Sequence, residues 1–172
     1  MIQTKPLNIV PLQIDGLTEE ENVKRAEFLE RLLLSWEGTP YKQEWQIKHR
    51  GVDCVRFVAA IYDVLLGKKT DIKTLPPDAS LHNRDLAIAS MRKLLRLYPS
   101  EAVEGKDVQP GDGIICGPVA GGPGHALIVG MDNVWHCGTN TVCKAGLTFL
   151  SLGSNTFKEI RRLKDRTTWM FQ

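Results

Sequence analysis

The stretch Gly124-His125-Ala126-Leu127-Ile128-Val129-Gly130-Met131-Asp132-Asn133-Val134-Trp135-His136-Cys137 reads as two short apolar strands around a turn. His125 to Val129 and Val134 to Cys137 have the composition of strands, and Gly130 to Asn133 supplies the turn residues between them. A hairpin closed there pairs Val129 with Val134, and Leu127 then faces His136. Side chains alternate across a strand, so His125, Leu127 and His136 project from one face and Cys137 from the other. Diagonal neighbours on such a face lie roughly 7–8 Å apart between Cα atoms, close enough for two imidazoles to meet.

Around this hairpin the chain divides in two. Gly113 to Cys116, Leu147 to Leu150 and Phe157 to Leu163 read as further strands, all after Pro99. Before it the periodicity is helical. Val23, Ala26, Leu29, Leu33 and Trp36 recur at helical spacing over residues 18–36, with Thr18 and Glu21 forming a capping box. Phe57, Val58, Ile61, Tyr62 and Leu65 mark a second helix that starts at Cys54, is capped by Asp53 and ends at Gly67. A turn-rich stretch over 68–83 leads to a third helix over 85–98, with Ile88, Met91 and Leu95 on one side. Helices followed by a run of strands predict an α+β fold, N-terminal helices packed on a C-terminal antiparallel sheet. A length of 172 residues suits a single domain over 1–172, with residues 1–17 as an N-terminal arm.

Composition narrows the function. A net charge of +2 gives no electrostatic reason to expect nucleic-acid binding, and no stretch is long and apolar enough to span a bilayer. Residues 1–13 lack an apolar core followed by a small-residue cleavage site, so synthesis in a cytoplasm is expected, with any delivery to a cell wall left to other machinery. Nothing in the pattern specifies an oligomer. Four cysteines are too few for a disulfide scaffold at this length. No Cys-x-x-Cys pair is present and Cys137 is aimed away from the histidines, so no metal site is expected; Cys116, Cys137 and Cys143 read as buried small residues. The basic residues Lys158, Arg161, Arg162, Lys164 and Arg166 read as a solvated face, and His49 and His82 as loop residues.

Cys54 stands apart from the other three. In the first turn of a helix, unpaired N–H groups and the helix dipole favour negative charge and lower a thiol pKa from about 8.5. With His125 as base and His136 orienting it through a ring nitrogen, Cys54 becomes a candidate nucleophile for acyl transfer, a chemistry that needs no cofactor.

Five short pieces of the chain resemble the NlpC/P60 cysteine peptidases, in that family's order and near its spacing. They are Gly38-Thr39-Pro40-Tyr41, Asp53-Cys54, Pro110-Gly111-Asp112, Gly124-His125, and His136 on the next strand. The resemblance implies a papain-like fold and hydrolysis of an amide bond in peptidoglycan stem peptides. It also implies that Tyr41 reaches the active site. Val55-Arg56 replaces the family's usual Ser-Gly after the nucleophile, and Lys42-Gln43-Glu44 replaces the Trp-Gly-Gly that often follows the tyrosine. Arg56 can hold a substrate carboxylate bidentately or serve in packing. Tyr41, Asp53 and Arg56 are therefore the substrate-binding candidates. A single domain without a leader resembles phage or prophage forms. Two other readings stay open: an amidase or transferase using the same dyad on a different amide, and a non-catalytic phage structural or interaction protein.

Overall fold

The computed structural model describes residues 7–71, 89, 92, 93, 95–118, 125–138, 140–147 and 155–169. In chain order the elements are β1 (Asn8–Ile9), α1 (Glu19–Leu34), β2 (Gln46–Ile47), β3 (Gly51–Val52), α2 (Cys54–Leu65), β4 (Ser100–Ala102), β5 (Asp107–Val108), β6 (Gly113–Pro118), β7 (His125–Val129), β8 (Val134–Cys137), β9 (Val142–Ala145) and β10 (Asn155–Leu163). The architecture is α+β, as the order of helical and strand periodicities predicts. Six strands form one antiparallel sheet in the order β4-β10-β6-β7-β8-β9.

α1 begins where the capping box requires. The Thr18 hydroxyl accepts from the Glu21 N–H, and the Glu21 carboxylate accepts from the Thr18 N–H at 2.7 Å. Ala26, Leu29 and Leu33 are buried, whereas Val23 is exposed, so the apolar stripe is narrower than the sequence suggests. Trp36 lies beyond the helix end but is buried, edge-on to Phe57.

α2 is apolar nearly all round, the signature of a helix enclosed on every side. Val55 to Asp63 and Leu65 are buried, and the helix packs on α1, β7 and β8. Enclosing Phe57, Val58, Ile61 and Leu65 stabilises the fold by about 1.5–3 kcal/mol for each side chain. These residues join Ile115, Ala126, Ile128, Trp135 and Cys137 in the core between helices and sheet. The opposite face of the sheet carries a second apolar cluster, including Ile114, Cys116, Leu127, Val129, Val134 and Ile160.

The hairpin has the expected register: Val129 pairs with Val134 and Leu127 with His136, and the Gly130 N–H donates to the Asn133 carbonyl. Glu30 of α1 pins it, accepting from the Met131 N–H at 3.0 Å and from Trp135 Nε1 at 3.2 Å.

Pro110-Gly111-Asp112 forms a turn against β7. Gly111 has φ +90°, and a Cβ there would lie 2.4 Å from the Trp169 ring, so only glycine fits. The buried Asp112 carboxylate receives Arg162 through two nitrogens, at 2.9 and 2.7 Å. This overturns the reading of the basic cluster as a solvated face. Arg161 binds Ser100 and Glu159, and Arg166 binds the side chain of Gln109 and the carbonyl of Gln13. Lys164 is exposed, and the side chain of Lys158 lies outside the described residues.

Residues 7–17 are bound into the body. β1 runs parallel to β5, and Leu12 and Ile14 are buried in the main core. Of the predicted third helix, Ala89, Arg92, Lys93 and Leu95 to Leu97 are helical, and the rest lies outside the described residues, as do His82 and residues 121–124. The strand read over 147–150 also falls largely outside them. The described strand in that region is β9, five residues earlier.

Candidate active site

The site is built where α2 begins. Asp53 caps the helix: its Oδ1 accepts from the Arg56 N–H at 2.8 Å. Its Oδ2 accepts from Arg56 Nη1 at 2.7 Å and from the Glu44 N–H at 2.8 Å. Both side chains are buried, 1% exposed for Asp53 and 4% for Arg56, and turned on one another. Asp53 and Arg56 are therefore not placed as the expected substrate contacts. The two lie three residues apart at the head of a buried helix and pair with one another inside the fold. The guanidinium also offsets the carboxylate charge that would otherwise oppose a thiolate at the next residue.

Cys54 is the first residue of α2, partly buried and not joined in a disulfide. The first-turn N–H groups have no helical carbonyl to meet, and they lend this end of α2 its positive potential. Tyr41 is brought to the same end. Residues 38–42 are laced between β3 and β9: Gly38 N–H to Val142 carbonyl, Tyr41 N–H to Asn140 carbonyl at 2.7 Å, and Lys42 N–H to Val52 carbonyl at 3.0 Å. Tyr41 thus stands beside Val52, two residues before Cys54, and is half-buried against the main core.

The two histidines meet as strand alternation requires. His125 Nε2 lies 2.7 Å from His136 Nδ1, with the rings edge-on at 87°. The hydrogen bond uses Nε2 of His125, which leaves Nδ1 as the ring atom for a second partner. Both imidazoles belong to the sheet face of Leu127 and Val129, while α2 covers the other face. They sit at the strand ends nearest the start of α2. The Cys137 thiol, next to His136 but pointing the other way, donates to the Val52 carbonyl at 3.2 Å and ties this rim of the sheet to the segment entering α2.

Burial sets the charge state. It pushes His125 from its usual 6.5 down to about 3, with the neighbouring His136 adding to the effect, and it lowers His136 as well. Both rings are neutral at pH 7. Burial also drives Cys116 and Cys137 up to about 12, so neither is a thiolate. A histidine neutral in the fold and charged when unfolded gives an unfolded state that binds more protons between the folded pKa and 6.5, so stability rises with pH across that window and levels off above it. The unfolding free energy from urea titration should therefore fall as pH drops from 6.5 to 4, by at most about 1.4 kcal/mol per pH unit for each such histidine. The slope should be shallower in His136→Gln, and equal slopes would show that the pair does not titrate this way.

Cys143, expected from the sequence to be a buried small residue, is partly exposed, with its Sγ 3.5 Å from His136 Nε2. Strand parity would have found it: β9 places Cys143 directly opposite His136. His49 is an exposed turn residue with φ 63°, its N–H bonded to the Thr39 hydroxyl. Among the described residues no group of three or more His, Cys, Asp or Glu is arranged to hold a metal ion. No helix among them is long and apolar enough to cross a membrane.

No protein-family profile matches the chain, and no curated protein matches it in sequence. Among solved structures it is similar to the crystal structure of the NlpC/p60 domain of the peptidoglycan hydrolase SagA, with 15% sequence identity over 80% of this chain and 98% of that one, and a TM-score of 0.48.

Proposed function

We propose that the chain is a cysteine hydrolase that cleaves an amide bond in peptidoglycan stem peptides through an acyl-enzyme on Cys54. The observation that carries this reading is the 2.7 Å bond between His125 and His136 at the rim where α2, headed by Cys54, begins. His125, held neutral, is in the form that takes a proton. Through Nδ1 it removes the Cys54 proton as the sulfur attacks the amide carbonyl, and His136 holds the ring in that orientation. First-turn N–H groups of α2 receive the oxyanion. His125 then returns the proton to the leaving amine, and water, deprotonated by the same ring, releases the acid. Asp53 and Arg56 hold the first turn in place, and Tyr41 borders the cleft.

The resemblance of residues 38–41, 53–54, 110–112, 124–125 and 136 to the NlpC/P60 pattern supports the substrate class. The test is mass spectrometry of defined stem peptides after incubation with the wild type, Cys54→Ala and His125→Ala. Cleavage at one amide bond, absent with both variants, is the expected result. A folded wild type that leaves every bond intact would remove peptidoglycan as the substrate and favour another amide or a non-catalytic role.

A further inference from the structure

The hydrogen-bonded chain at the rim does not stop at His136. His125 Nε2 meets His136 Nδ1 at 2.7 Å, and His136 Nε2 meets Cys143 Sγ at 3.5 Å. Each neutral imidazole carries one proton, so the direction of one bond determines the direction of the next. If His136 donates from Nε2 to the Cys143 sulfur, its Nδ1 accepts from His125 Nε2–H, and His125 Nδ1 presents a lone pair. If the Cys143 thiol donates instead, both rings carry their protons on Nδ1, and His125 has no lone pair there to receive a proton.

We propose that Cys143 is a positioning residue, whose sulfur accepts from His136 and so directs the basic nitrogen of His125 toward Cys54. The proposal rests on the reading of Cys54 and His125 as nucleophile and base. Cys143 is supplied by β9, directly across from His136, and its sulfur meets the ring of His136. Burial chiefly, with the Glu37 carboxylate adding, holds its thiol above the usual value, and a backbone contact with Gly138 opposes them. At neutral pH the sulfur is thus a thiol, able to accept from His136 Nε2–H but holding the productive arrangement less firmly than an anion would. A carboxylate in its place can only accept and would hold the productive one.

Alkylation of Cys54 by limiting iodoacetamide, followed across pH by peptide mapping so that the other cysteines do not enter the rate, tests this on the intact chain. Cys143→Ala should slow Cys54 alkylation at pH 7 about tenfold, the equivalent of one pKa unit. Cys143→Ser, which keeps a group that accepts, should stay near the wild-type rate, and Cys143→Asp should move the profile to lower pH. Thermal unfolding of the serine variant guards against a purely structural loss in the alanine variant. One rate and one pH profile shared by wild type, Cys143→Ala and Cys143→Asp, while His125→Ala is slow, would overturn the role of Cys143 and leave the base intact. No effect of His125→Ala would overturn the base and the relay together.

Discussion

His125→Ala is expected to lower kcat on the cleaved stem peptide by at least about 10³-fold, and His136→Ala by about 10²-fold, with KM little changed in either. Proton transfer by a positioned side chain contributes about 10²–10⁴-fold, and His125 is asked to act twice, first as base and then as acid. His136 acts through the ring it orients, and loses less because His125 retains its place on β7 when its 2.7 Å partner is removed. Burial keeps His125 neutral well below its usual value, so the acidic limb of the kcat/KM profile should lie below pH 6.5 in the wild type and move upward in variants that admit water to the ring. Steady-state kinetics across pH, on material whose folding has been verified by circular dichroism, makes the measurement. Equal losses in kcat for the two variants would place both histidines on the reacting atoms. Unchanged kcat in His125→Ala would remove the proposed mechanism.

Asp53→Ala should be the most destabilising single substitution in the site, by about 3–5 kcal/mol. It deletes a helix cap and leaves the Arg56 guanidinium buried without its counter-ion. Arg56 Nε is already buried without a hydrogen bond, so the pair is incompletely satisfied even in the native fold. Buried pairs of this kind are frequently replaceable by apolar residues of similar volume at little net cost. The double variant Asp53→Ala with Arg56→Met should therefore unfold at a higher urea concentration than Asp53→Ala alone. A double variant no more stable than the single one would show that the cap, and not the orphaned charge, carries the loss.

The residues differ in how much they disclose before folding. The hairpin was legible because a polar turn between two short apolar runs leaves one register that buries both, and that register puts His125 and His136 on one face. α2 was legible because Asp53 and Gly67 punctuate a continuous apolar run. The Asp53–Arg56 pair was visible as i, i+3 spacing, yet its burial was not, because burial depends on what the Glu44 turn and the sheet bring over that end of the helix. β9 has little local signal because Val142 to Ala145 is short and carries a lysine, so alternation has too few residues to register, and Cys143 is hidden with it. The basic residues of β10 and beyond looked solvated since their acceptors, Asp112, Gln109 and Ser100, lie about fifty residues or more away in the chain. The two-residue strands β1 and β5, roughly a hundred residues apart, have no local signal at all.

The position of β10 between β4 and β6 has a consequence for biogenesis. During synthesis β4 and β6 leave the ribosome with no strand in common, and the space between them is filled only when residues 155–163 emerge. Until then β6 presents one unpaired edge, which invites pairing with other nascent chains. The nascent protein must therefore hold its histidine hairpin and α2 in an unfinished sheet while the residues between Cys137 and Leu163 are translated, and closure of that gap, dominated by distant contacts, is expected to be the slow event of folding.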